Sequence, residues 1–297
     1  MAPLPDLIDL RVKGVLGAIG AYLVQTADGP GVIDCGPSSS LETLRRELAD
    51  RGLAVGDLRH LLLTHIHFDH AGAAGVLARE NQRLEVHVSE VGAPHLADTS
   101  RLEASARRLY GDAFDDLWGE VAPVPAERLH AIGEEVVGFR SFPTPGHASH
   151  HVSFLDEAGT LFAGDVAGIR ITPSRFIVAP TPPPDVDLEA WEESLIEIER
   201  RAPNRLAVTH FGIFEDVEEH LATLRLALRE SSERVVHGMD VDTFVTALTD
   251  DIHTAAPDLL NQYITGVSLR DCFGGLERYW RKRRERLAAE AFRHADT

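Results

Sequence analysis

Apolar residues recur in short runs from the start of the chain: Leu7 to Val12, Val15 to Val24, then Gly31 to Cys35, with Asp28-Gly29-Pro30 ahead of the last. Short runs bounded by turn residues predict strands, and Asp-Gly between two of them predicts a hairpin. The N-terminal region is therefore expected to be a strand meander that leaves Asp34 at a strand tip. From Ser38 to Arg51 the period becomes helical, with Leu41, Leu44 and Leu48 at spacings of three and four, serines as N-cap candidates and Gly52 as the closing residue. Leu61-Leu62-Leu63-Thr64 reads as a buried strand, Ala71 to Glu80 as a helix and Leu84 to Val88 as the next strand. Strand, helix, strand is the unit of a layered α/β fold.

Between Val91 and Val121 the pattern is helical and mixed, with Tyr110, Phe114 and Trp118 at intervals of four. A helical insertion is expected at about 91–121, its apolar stripe either buried or closing over a site as a lid. Strands resume at Val136 to Phe142, Val152 to Leu155 and Thr160 to Ala163. Ala179-Pro180-Thr181-Pro182-Pro183-Pro184 must be an extended connection, because consecutive prolines enter neither a helix interior nor a central strand. Asp187 caps a helix to Arg200, Leu206 to Val208 forms one more strand, and the sequence after Val217 reads as helices. The expected organisation is a layered unit over 1–216 and a helical C-terminal extension over 217–297.

The 297 residues are 44% hydrophobic and 26% charged, with no low-complexity tract, which excludes wholesale disorder. Against 29 Lys and Arg stand 47 Asp and Glu, a formal net charge of −18. A surface of that sign repels phosphate backbones and anionic lipid heads, so a small-molecule substrate is expected rather than nucleic acid or a membrane. Cys35 and Cys272 are too few and too far apart for a disulfide framework or a thiolate zinc site. With no signal-like start and no apolar run approaching ~18 residues, a cytoplasmic location is expected. Oligomeric state is left open, a homodimer included.

Fifteen histidines are the more pointed feature. Thr64-His65-Ile66-His67-Phe68-Asp69-His70 places three imidazoles and one carboxylate in six positions directly after a strand. A loop can turn all four toward one point, whereas side chains on a strand alternate between faces. Four such donors can begin two adjacent sites for zinc-like metals.

This HxHxDH motif resembles the signature of the metallo-β-lactamase-fold hydrolases. Later segments resemble the remaining motifs of that family in order: Pro145-Gly146-His147, Phe162-Ala163-Gly164-Asp165 and Val208-Thr209-His210, with Asp34-Cys35-Gly36 as the earliest. The resemblance implies an αββα sandwich, two mixed β-sheets flanked by helices, closest to the glyoxalase II and lactonase branches. It implies two divalent metal ions, zinc first with iron or manganese as alternatives: His65, His67 and His147 at one, Asp69, His70 and His210 at the other, Asp165 bridging. The activity implied is hydrolysis of a small-molecule ester, thioester or lactone by a metal-bridging hydroxide, with Asp69 as proton carrier. Alternatives on the same scaffold are a mononuclear iron persulfide dioxygenase, a phosphodiesterase or nuclease, and a non-catalytic binding module.

Asp34 is expected to orient a ligand imidazole by accepting its other N–H, and His151 to support the ligands or contact substrate. Tyr110, His95, Arg107, Arg170 and Arg175 are candidates for lining the pocket. The basic run Arg281 to Arg286 is expected to complement the dipole at the end of the last helix and the acidic surface.

Overall fold

The computed structural model describes residues 4–295, with side chains through Ala288. Six strands form one sheet in sequence order: β1 (Asp6–Asp9), β2 (Gly20–Thr26), β3 (Gly29–Ile33), β4 (His60–Leu62), β5 (Glu85–Val88) and β6 (Leu129–Ala131). The first three pair antiparallel and the rest parallel. The second sheet holds β7 (Glu135–Val136), β8 (Phe139–Pro143), β9 (Val152–Leu155), β10 (Thr160–Phe162), β11 (Arg205–Val208) and β12 (Gly212–Phe214), antiparallel except for β10 beside β11.

Parallel neighbours require crossovers, and helices supply them. α1 (Leu41–Asp50) lies between β3 and β4, α2 (Phe68–Ala71) and α3 (Ala74–Glu80) between β4 and β5. The expected insertion falls between β5 and β6 as α4 (Ala93–Ala97), α5 (Ser100–Tyr110) and α6 (Phe114–Trp118). α7 (Leu188–Arg201) joins β10 to β11, and its N-cap is Asp187, which accepts from Ala190 N–H. The expected serine cap at α1 does not form: Ser40 Oγ donates instead to Pro37 O within a preceding 3₁₀ turn.

Alternation along the strands gives each sheet two apolar faces, so the core divides into layers. Tyr22, Ile33, Leu62, Phe154 and Phe162 fill the space between the sheets. Leu44 and Leu48 of α1 and Leu77 of α3 cover the outer face of the first sheet, and Trp191, Leu195 and Leu224 that of the second. This is the αββα sandwich. After β12 come α8 (Val217–Val236), α9 (Val241–Ala255), α10 (Leu260–Gly266) and α11 (Leu269–Ala295). Phe244, Ile252, Tyr263 and Leu276 of this extension share a cluster with Ile169, Ile171, Val178 and Val186, which seats the helices on the segment after β10. The Arg281–Arg286 run lies mid-helix rather than at the helix end, so the dipole account is corrected: Arg283 instead pairs with Glu189 of α7. Among the described residues no helix is long and apolar enough to cross a membrane.

Candidate metal centre

Every motif lies at a strand end on one rim of the sandwich. Asp34 follows β3, residues 64–70 follow β4, His147 follows β8, Asp165 follows β10 and His210 follows β11. Strand ends beside crossovers are where α/β sheets leave backbone free to aim side chains at a common point.

Two groups of donors result. His65 Nε2 and His147 Nε2 lie 3.0 and 2.9 Å from His67 Nδ1. Asp69, His70, Asp165 and His210 form the second group: His70 Nε2 and His210 Nε2 stand 3.2 and 3.3 Å from Asp165 Oδ1, and His210 Nε2 is 3.4 Å from Asp69 Oδ2. Asp165 also reaches the first group, its Oδ2 lying 3.4 Å from His147 Nε2. One carboxylate therefore faces both.

The protons of these imidazoles are fixed from behind. Asp34 accepts from Thr64 N–H at 2.9 Å, from His70 Nδ1–H at 2.8 Å and from Thr209 Oγ1 at 3.0 Å. It also accepts from Thr64 Oγ1, so that hydroxyl is left to accept from His65 Nδ1–H at 3.0 Å. His147 Nδ1–H donates to Pro180 O at 2.8 Å, from the proline-rich connection. In His65, His70 and His147 the Nε2 lone pair consequently points into the cluster. His151 accepts Asp165 N–H at Nε2 and lies 2.9 Å from Thr144 Oγ1 at Nδ1, which makes it a neutral strut under the Asp165 loop. It is buried and does not contact the cavity.

Electrostatics points the same way. Burial, then neighbouring imidazoles, hold His65 and His67 well below the ordinary histidine range. Burial opposes charge on His210 too, but the Asp165 and Asp69 carboxylates overcome it and raise that group to about 9. Burial would raise the Asp165 carboxyl, yet the surrounding histidines, His210 foremost, hold it well below the usual carboxylate range. The first group thus disfavours protons and the second collects carboxylate charge. A cation satisfies both.

The donor set fits divalent metal. His70 Nε2, His210 Nε2 and Asp165 Oδ1 are buried without a hydrogen-bond partner among the described residues, an expensive state unless something positive lies among them. Neutral nitrogens and carboxylate oxygens are what zinc and iron take, and nitrogens ~3 Å apart need only small shifts to surround one ion.

Local backbone follows from the same demands. Gly146, beside His147, has φ +136°, and a Cβ there would sit 2.4 Å from Trp191 Cα, so only glycine lets α7 approach the ligand loop. Trp191 Nε1 in turn donates to Val166 O in the Asp165 loop at 2.8 Å. His210 is held from both sides, by Gly20 N–H donating to Thr209 O and Arg170 N–H donating to His210 O.

A cavity of ≈370 Å³ opens over the cluster, with His67, Asp69, His147 and Asp165 as its floor. Tyr110 and His95 line it as expected. The three arginines do not. Arg107 pairs with Glu103 and Asp115; Arg170 is buried in a bidentate pair with Asp216, over the Phe214 ring; Arg175 pairs with Glu219. Each had a carboxylate nearer than the pocket. Thr64, Thr209 and Tyr22, whose hydroxyl lies within reach of Val208 O and Gly212 O, were not anticipated. A signal existed for the first two, since Thr precedes His at both strand ends.

The sequence profile of the metallo-beta-lactamase superfamily matches residues 15–210. The chain belongs to that superfamily. It is a metallo-beta-lactamase superfamily hydrolase with a His/Asp cluster suited to metal. The metallo-beta-lactamase fold-containing protein ST1585 of Sulfurisphaera tokodaii is 30% identical over 201 residues, 64% of this chain and 72% of that protein. The metallo-beta-lactamase family protein TTHA1429 of Thermus thermophilus superposes with a TM-score of 0.65 at 22% identity, covering 95% of this chain and 94% of that one. TTHA1623, solved in a di-iron-bound form, superposes at 0.51 with 28% identity, covering 69% of this chain and 91% of its own.

Proposed function

We propose that the protein is a dinuclear metal-dependent hydrolase that cleaves a small-molecule ester, thioester or lactone. The observation that carries this reading is Asp165, whose two carboxylate oxygens face separate donor groups. His65, His67 and His147 would hold one divalent ion, and Asp69, His70 and His210 the other, with Asp165 shared. When bound, such a pair supplies Lewis acidity and lowers the pKa of coordinated water to ~7. Zinc and iron both suit the donors, and a relative with two irons makes iron a direct candidate.

The chain's own residues supply the rest. Asp69 is the less buried of the two cluster carboxylates, with 18% of its side chain exposed against 4% for Asp165, and it lines the cavity floor. That placement lets it take a proton from the attacking water and return it to the leaving group. Asp34, Thr64 and Pro180 O keep the imidazoles oriented throughout. The walls around the floor are mostly apolar, which strengthens the polar contacts within.

The test is a panel of thioester, lactone, ester and phosphodiester substrates on metal-replete protein, with oxygen uptake followed on persulfide. Hydrolysis of a carboxylic ester, thioester or lactone that falls at least ~100-fold in Asp69→Asn supports the proposal. Oxygen consumption with one iron per chain, or turnover of phosphodiesters alone, overturns it.

A further inference from the structure

α5 is eleven residues long and buries none of them, although Leu102, Ala106 and Leu109 recur along one face. An isolated helix of that length is marginal in water and is ordinarily held by packing of its apolar stripe. Here the stripe borders the ≈370 Å³ cavity. Ile264 of α10 and Val267 in the turn after it line the same cavity, so the insertion and the C-terminal extension each bring apolar surface to it. Leu109 and Ile264 remain 47% exposed, apolar surface left at a rim that leads down to Asp69 and Asp165. The charged groups of the walls offset one another: Lys13 and Arg101 are matched by Asp185 and Asp271. Nothing in that balance selects an anionic body.

We propose that the cavity takes an unbranched alkyl chain of medium length, attached to the group that reacts on the floor. From Leu102 to Leu109 is seven residue steps, about 10 Å along the helix axis, the length of roughly eight extended carbons. The chain covers the stripe of α5 together with Ile264 and Val267, and the reacting carbonyl lies at the cluster. This rests on the hydrolase reading for the chemistry, but the binding it describes is separate from turnover.

Two readouts keep the two apart. In the first, kcat/KM is measured on metal-replete protein for p-nitrophenyl esters and acyl thioesters from two to twelve carbons. Each methylene buried should raise it by up to ~4-fold, levelling near eight carbons. In Leu109→Glu and Ile264→Glu, at exposed positions where folding is retained, the ratio of the eight-carbon to the two-carbon substrate should fall at least ~10-fold. In the second, butyrate, octanoate and 1-octanol are titrated into metal-replete and metal-free protein by calorimetry. Octanoate should bind at least ~30-fold tighter than butyrate, and octanol should bind without metal. Hydrolysis with a flat or falling chain-length series overturns this inference and leaves the hydrolase reading standing. No hydrolysis with chain-length-dependent binding does the reverse. Absence of both overturns both.

Discussion

Replacing Asp34 tests whether the imidazoles are oriented from behind the cluster. Asp34→Ala leaves Thr64 N–H and His70 Nδ1–H buried without their acceptor, and these cannot rotate elsewhere as the Thr209 hydroxyl can. A buried donor left unmade costs about 1 to 3 kcal/mol. Alanine at φ 56° adds about 1 kcal/mol, because the left-handed region suits Asp and Asn better. The sum over the two donors and the backbone is a loss of about 3 to 7 kcal/mol, readable as a lower urea midpoint of the metal-free protein by circular dichroism. Asp34→Asn keeps an acceptor oxygen and the backbone preference, so its stability loss should stay near 1 to 2 kcal/mol. Its larger effect should be on metal: without the carboxylate behind His70, affinity at the second donor group should fall by ~10- to 100-fold in a chelator competition. An Asp34→Ala protein within 1 kcal/mol of the parent, or an Asp34→Asn protein holding metal as tightly, would refute the orientation argument.

Buried neutral His220 should make stability depend on pH. Burial foremost, with the Arg170 charge, lowers it from 6.5 to about 4, against the opposing pull of the Nε2–H bond to Ala167 O. The unfolded chain therefore binds this proton first, so stability is full above pH 6.5 and is lost as pH falls toward 4. At pH 5 the loss is about 2 kcal/mol. His220→Gln should flatten that part of a urea-midpoint profile between pH 7.5 and 5, and an unchanged slope would count against the assignment. Gly146→Ala should cost at least ~2 kcal/mol and displace His147, because a Cβ meets Trp191 backbone rather than a yielding side-chain tip. A normal melting temperature with full metal content in that variant would show that α7 can retreat.

The site was legible where function concentrates side chains in sequence. His65 to His70 lie within six consecutive positions, a loop running into the short α2, so one segment explains them; His147, Asp165 and His210 stand alone and were placed only by resemblance to a family. What supports them was harder to read. Thr64 and Thr209 look like ordinary strand ends until the fold brings Asp34 between them. Arg170 looked like a pocket cation because its partner, Asp216, lies 46 residues on. Among elements, α7 was visible through its apolar period and Asp187 cap, whereas β6 and β12 were missed, since three residues carry no period. The serine cap failed because a 3₁₀ turn already engaged Ser40. The cavity was legible only in part: the insertion, with Tyr110 and His95, was expected at a pocket, whereas residues 12–19 are brought to the same rim only by the folded sandwich.

The central claim is that two metal ions share Asp165, and elemental analysis of metal-replete, folded protein tests it most directly. Two divalent ions per chain are expected in the parent, with loss of bound metal in Asp165→Ala, since that change removes the carboxylate that both donor groups face. A single ion per chain in the parent, or two retained in the variant, would contradict the account.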